Sequence, residues 1–209
     1  MTFDEAVTAA AHVADGAVNE VLADYRDGVV TDEDDINPYL LGALSNKFRG
    51  AVGGLTWRSS VLRHRSGIAA EEQRIGADML IHVSLKTETQ TYSKGVLIQA
   101  KRVESGDLMN TRELNELINQ CNKMLLHSPA AFVFNYSKNS MRCGSANKLV
   151  GSKNKNLHDA CDWTSYRFFL ELFRCPIGDR NIRSPLVRDL RVPIALTIKG
   201  SGQLTLPIG

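Results

Sequence analysis

The chain has 209 residues, 43% of them hydrophobic, and a formal net charge of only +2, enough apolar material for a packed domain and too much for a disordered one. No run approaches the roughly 18–20 apolar residues that span a bilayer, and the opening MTFDEAVTAAAHVADG lacks the basic start of a signal peptide, so a soluble cytoplasmic protein with no membrane partner is expected. The charge is uneven. Residues 1–35 hold ten carboxylates and one cation, a net −9, which leaves +11 on the remaining 174 residues. A basic body suits a polyanionic partner, because Lys and Arg contacts to phosphates release counterions.

Residues 3–27 predict an amphipathic helix, with Val7, Ala11, Ala14, Val18, Val21, Leu22 and Tyr25 on one stripe and Gly28 as its stop. Asn37-Pro38 predicts the start of a second helix, Asn capping and Pro tolerated in the first turn, with Tyr39, Leu40, Leu44 and Phe48 as its apolar face and Gly50, Gly53 and Gly54 ending it. Residues 55–58 and 61–65, split by Ser59-Ser60, read as an early strand or hairpin. Residues 77–85 alternate as a strand does, 87–94 form a polar turn, and 95–101 read as a central strand that delivers polar residues at its end. A helix over 109–127 buries Leu114, Leu117, Ile118, Cys121, Met124 and Leu125, and AAFVFNY over 130–136 is a buried strand. Residues 163–174 predict a further helix. Residues 190–198 and 203–206 predict a terminal hairpin turning at Lys199-Gly200-Ser201-Gly202. The four cysteines, Cys121, Cys143, Cys161 and Cys175, stand far apart with no CxxC, and no His or Cys cluster has zinc spacing. The implied organisation is an N-terminal acidic helix (1–30) for packing or partner docking, a core (31–137), and a C-terminal extension packed on it (138–209).

The chemistry gathers at Gly76-Ala77-Asp78 and Gln99-Ala100-Lys101. Residues two apart in a strand share a face, so Gln99 and Lys101 project together, and a neighbouring strand brings Asp78 beside them. Mg2+ or Mn2+ takes hard oxygen ligands. The Asp78 carboxylate, the Gln99 amide oxygen and the Ala100 carbonyl supply them, leaving Lys101 to orient a water or stabilise charge on a transferring phosphoryl group.

The run EQRIGADMLIHVSL, with Asp78, followed by GVLIQAKR, with Gln99 and Lys101, resembles the PD-(D/E)xK, restriction-endonuclease-like nucleases, and among them the Mrr-type branch in which Gln replaces the acid. The likeness covers about half the chain, residues 33–137. It implies an α/β fold: a central mixed sheet flanked by helices in αβββαβ order, here with an N-terminal helix and a C-terminal helix/hairpin extension. It also implies a metal-dependent deoxyribonuclease acting in restriction or defence against foreign DNA, as one subunit of a larger system, with DNA and either a partner protein or a second copy of the chain as partners. The acid that completes the metal site is Glu72 by first choice and Glu33 by second, with Glu71 and Asp34 close to them. Gln120 on the following helix either touches the site or decorates the helix surface. Arg58, Arg63, His64 and Arg65 either hold phosphates or decorate an exposed strand. Lys148, Lys153 and Lys155 fall in a basic loop suited to nucleic acid. The alternatives are an inactive nucleic-acid-binding or assembly subunit of the same fold, and a DNA-repair nuclease.

Overall fold

The computed structural model describes residues 1–30, 33–63, 74–184, 190 and 192–204, with the backbone alone for Glu33 and Asp34. Helix α1 (Phe3–Arg26) opens with a capping box, in which the Thr2 hydroxyl accepts from the Glu5 amide and the Glu5 carboxylate accepts from the Thr2 amide. Two of the orphan donors of the first turn are thereby satisfied. Its apolar stripe, from Ala6 to Tyr25, is buried against the rest of the chain.

Helix α2 (Glu33–Lys47) starts four residues before the expected Asn37 cap and carries Pro38 inside it. Asn37 is instead buried within the helix, and its Oδ1 accepts a hydrogen bond from the Tyr136 hydroxyl at 3.0 Å. The proline forfeits one helical hydrogen bond, at about 3 kcal/mol. Full burial of Ile36, Leu40, Leu41 and Leu44 outweighs that, at about 1.5–3 kcal/mol for each side chain.

Beyond α2 come β1 (Gly50–Val52), β2 (Leu55–Arg63), β3 (Met79–Lys86), β4 (Thr91–Arg102), α3 (Thr111–His127), β5 (Ala131–Ser137), β6 (Ser140–Ser145), α4 (Ala146–Ser152), α5 (Leu157–Ala160), β7 (Trp163–Thr164), α6 (Ser165–Arg174) and β8 (Ile194–Ser201). Among the described residues the strands form one eight-stranded mixed sheet in the order β1-β2-β8-β3-β4-β5-β6-β7, in which β3–β8 and β4–β5 are parallel and the other pairs antiparallel. Helices α1, α2 and α6 pack on one face, with Met79, Ile81, Val83, Ile98, Ala100, Phe134 and Leu196. Helices α3, α4 and α5 cover part of the other, with Leu80, Leu97, Ala131, Val133 and Ala195. Among the described residues, no helix is long and apolar enough to cross a membrane.

Other elements differ from expectation too, among them β4, which takes up residues 91–94 of the expected turn. Residues 55–63 form one strand, not two, because every residue from Thr56 to Arg63 pairs with β8, across Ser59 and Ser60. The turn expected at 199–202 does not form: Lys199, Gly200 and Ser201 continue β8, paired with β2 on one side and β3 on the other, and residues 205 and 206 of the expected second strand lie outside the described residues. Gly200 lies beneath Trp57, where a Cβ would come within 2.7 Å of the indole ring, so this glycine serves close approach, not a turn. The C-terminal stretch therefore supplies a central strand and is not simply packed on a finished core. Finally, the basic loop over 148–155 is partly helical. Lys148 lies in α4 and pairs with Asp162 at 2.9 Å, and Lys153 is the left-handed C-cap.

Candidate active site

Strands β3 and β4 run antiparallel with Met79 opposite Ile98, so Asp78, one residue earlier, comes opposite Gln99, one residue later. The Asp78 amide donates to Ile98 O at 2.9 Å and extends the ladder to this point. Gln99 Nε2 donates to Asp78 Oδ2 at 2.7 Å and to Ala100 O at 3.1 Å, while the Ala100 amide donates to the same Oδ2 at 2.7 Å. A carboxylate oxygen and a main-chain carbonyl thus converge on one nitrogen. Gln99 is 1% exposed, and its own Oε1 is buried without a hydrogen-bond partner.

That orphaned oxygen bears on what the site holds. Turning the amide would bring Oε1 to the point where Asp78 Oδ2 and Ala100 O already meet. Three hard oxygens around one centre repel unless a cation lies among them. With the amide turned, the oxygens of Asp78, Gln99 and Ala100 could hold a cation such as Mg2+ or Mn2+. This donor set contains a single carboxylate, and the described residues include no group of three or more His, Cys, Asp or Glu side chains placed to hold a metal. The second acid expected from the sequence is Glu72 or, next, Glu33. Glu72 and Glu71 lie outside the described residues. Glu33 opens α2, and its side chain lies outside them too. The Asn37–Tyr136 bond ties the first turns of α2 to the strand end at Arg102, with which Tyr136 pairs in the β4–β5 ladder, on the sheet face opposite that of Lys101.

Lys101 shares the face of Gln99, is half-buried, and lines a cavity of about 330 Å³ with Met109, Glu113 and Glu116. Cys121 of α3 is its neighbour: burial pushes that thiol up to about 12, and the Lys101 charge pulls it back in part. The strand end is clamped by Asn135, fully buried and opposite Lys101 in the ladder. Asn135 Oδ1 accepts from the Val103 amide and its Nδ2 donates to Val103 O, each at 2.9 Å. Sequence reasoning passed over Asn135, although an asparagine inside the apolar run AAFVFNY was the available signal.

Helix α3 reaches the site through its backbone. Gly76 has φ +76°, and a Cβ there would lie 2.4 Å from the carbonyl oxygen of Gln120. Gln120 Oε1 is a second buried amide oxygen without a partner. Gln120 thus touches the segment that delivers Asp78. The other candidates are scattered. Arg58 lies far along β2 from Asp78, Arg63 lies at the Asp78 end of the sheet but two strands away and on the opposite face, and His64 and Arg65 fall outside the described residues. His82 is buried, bonded through Nε2 to the Ser93 hydroxyl at 2.9 Å, and burial lowers its pKa. All four cysteines are free thiols. No family model, no curated protein and no solved structure matches the chain.

Proposed function

We propose that the chain is a metal-dependent nuclease of the PD-(D/E)xK, restriction-endonuclease-like type in its Gln-x-Lys form, hydrolysing phosphodiester bonds of DNA. One observation carries this reading: Asp78 Oδ2 and Ala100 O converge on the Gln99 amide, whose own oxygen is orphaned. The order α2, β2, β3, β4, α3, β5, with β5 parallel to β4, supports the same core. The insertion of β8 between β2 and β3 is a departure from a simple three-strand meander.

Bound Mg2+ or Mn2+ would polarise a phosphate oxygen and make its bound water more acidic. The chain itself holds the oxygens: Asp78 is fixed by the Ala100 amide, and the Gln99 side chain is fixed by burial. Lys101 projects from the same face and places an ammonium where negative charge develops on the phosphoryl oxygens. Its strand end is held by the Asn135 clamp on Val103, so its position is set before substrate arrives. The setting that the resemblance to restriction-type enzymes suggests is defence against foreign DNA, within a larger system that recognises the target.

The deciding experiment incubates the pure protein with plasmid, linear duplex and single-stranded DNA, in Mg2+, in Mn2+ and in chelator. Cleavage should require the metal. Lys101→Ala should lose it by at least about 100-fold, the scale on which a positioned charge contributes to a transition state, at an unchanged melting temperature. A well-folded Lys101→Ala protein that still cuts at the parental rate would remove Lys101 from the site. A second reading is favoured by the same bonds in their present form. Gln99 Nε2 satisfies both oxygens without a cation, as suits an inactive nucleic-acid-binding subunit, and binding without cleavage in any metal would select it.

A further inference from the structure

The sheet face that carries Asp78 and Gln99 continues past the helices that cover it. Register places Arg58 of β2 directly opposite Lys199 of β8, Lys199 beside Ser84 of β3, and Ser84 opposite Ser93 of β4. These four form a single row across four strands on that face, about 14 Å long at the usual strand spacing. Arg58 and Lys199 are exposed. Neither belongs to a salt bridge among the described residues. The next position on this face of β3 is Lys86, also exposed. Arg183, exposed on the segment after α6, is anchored at the other end of the row, its carbonyl accepting from the Ser93 hydroxyl at 3.2 Å. Beneath the row His82 is buried, its pKa lowered chiefly by that burial and also by the Lys199 charge. None of the described β2, β8, β3 and β4 residues on this face, from Thr56 to Lys86, brings a carboxylate to the row.

Like charges directly opposite across two strands destabilise a sheet. Here two cations face each other with hydroxyls beside them, a third cation next along β3 and a fourth at the end. An anion removes the repulsion, and a row of anions at chain-like spacing does so best. We infer that the row Arg58–Lys199–Ser84–Ser93, with Lys86 and Arg183, seats the phosphate backbone of a nucleic-acid duplex. The seat is not the scissile-phosphate site. Ser84 lies six positions along the chain from Asp78, about 20 Å at the rise of a strand, or roughly six base-pair steps of B-form DNA. It rests on the charge pattern of the face together with the DNA reading, and it exists only because β8 lies between β2 and β3.

The test uses the full chain carrying Asp78→Asn, in chelator, so that cleavage plays no part, and measures duplex binding by anisotropy over a salt series. Arg58→Ala/Lys199→Ala should weaken binding at least tenfold near 0.1 M salt, and should lower the log–log salt slope by about 1.8, two phosphate contacts at about 0.9 each. Its melting temperature should hold or rise, because the repulsion is gone. The control, Lys47→Ala/Arg174→Ala, removes the same charge from helices on the opposite face and should leave the slope unchanged. A slope that falls equally in both variants, or in neither, overturns the seat. Arg58→Lys and Lys199→Arg should retain the slope; its loss would also overturn the assignment. A parent that binds no duplex overturns the seat and the DNA reading together. A parent that binds through the row and cuts in no metal removes the nuclease reading alone.

Discussion

Gln99 carries two N–H groups to a place where two oxygens meet, and leaves its own oxygen buried without a donor. Gln99→Glu replaces those donors with a second carboxylate beside Asp78. Without metal the variant should be less stable by about 1–3 kcal/mol, the cost of a buried group left unsatisfied, and one of the two carboxyls should hold a proton toward neutral pH. Added Mn2+ should restore its melting temperature to that of the parent or above. Melts with and without Mn2+ decide it, and a destabilisation that Mn2+ does not relieve argues against a cation site. Lys94 offers an independent residue-scale test. It is fully buried, its Nζ donates to Ile177 O, and burial pulls its pKa from 10.5 down to about 8. Below about pH 8 both folded and unfolded chains carry the ammonium, so the fold bears the whole desolvation cost. Between about 8 and 10.5 the folded chain releases its proton and the unfolded chain keeps it, so the unfolded state binds more protons and stability rises with pH. Lys94→Met should lose that rise, measured as the difference between the two melting curves from pH 7 to pH 10. At pH 7 it should be more stable by about 1–3 kcal/mol.

At the scale of elements, the strongly periodic segments were legible. The stripe of α1 matches what is buried. Helix α3 buries Leu114, Leu117, Cys121 and Met124 but leaves Ile118 and Leu125 only partly covered. β3 is a strand as expected but is buried on both faces from Met79 to Val83. The Asp78–Gln99 pairing was legible too, because a period of two and a neighbouring strand suffice to bring the pair together. Two misreadings share a cause: a residue type was assigned its commonest local role when a distant contact assigned another. Asn37 reads as a cap and instead receives Tyr136 from β5. Gly200 reads as a turn and instead lies under Trp57 of β2. The second metal acid stayed open because Glu72 and Glu33 depend on how a connecting segment and a helix start are placed, which no local pattern sets. Gly76 is the sharpest test of how elements deliver the site. It combines a positive φ with backbone contact to α3. Gly76→Ala should therefore destabilise by more than about 1 kcal/mol from conformation alone, and more from the clash, since a main-chain carbonyl cannot rotate away. Mn2+ affinity by calorimetry should fall with it, because Asp78 follows two residues later. A variant with parental stability and metal affinity would show that the α3–Gly76 contact does not position the site.

For the molecule as a whole, β8 is where the fold closes. It pairs with β2 and β3, which precede it by more than a hundred positions in the sequence. Its alternate residues enter both cores, Ile194, Leu196 and Ile198 on one face and Ala195 on the other. Contacts of such separation incur their loop-closure entropy before they stabilise anything, so folding should be slow relative to a helical domain of this size. Without β8, β2 and β3 would each expose an unpaired edge in the middle of the molecule, with the backbone donors and acceptors of eight residue pairs unsatisfied on either side. A chain shortened to residues 1–193 should therefore show no cooperative thermal transition. Leu196→Ala gives the graded version, in case the shortened chain is lost to aggregation. It should cost about 2–5 kcal/mol as a large-to-small change in a packed core, while Lys199→Ala, three residues along the same strand but exposed, should stay within about 0.5 kcal/mol. Urea titrations of the two point variants measure the difference. A shortened chain that melts cooperatively, or a Leu196→Ala cost no larger than that of Lys199→Ala, would mean that the sheet is complete without its eighth strand, and the phosphate seat that needs Lys199 would then lose its foundation.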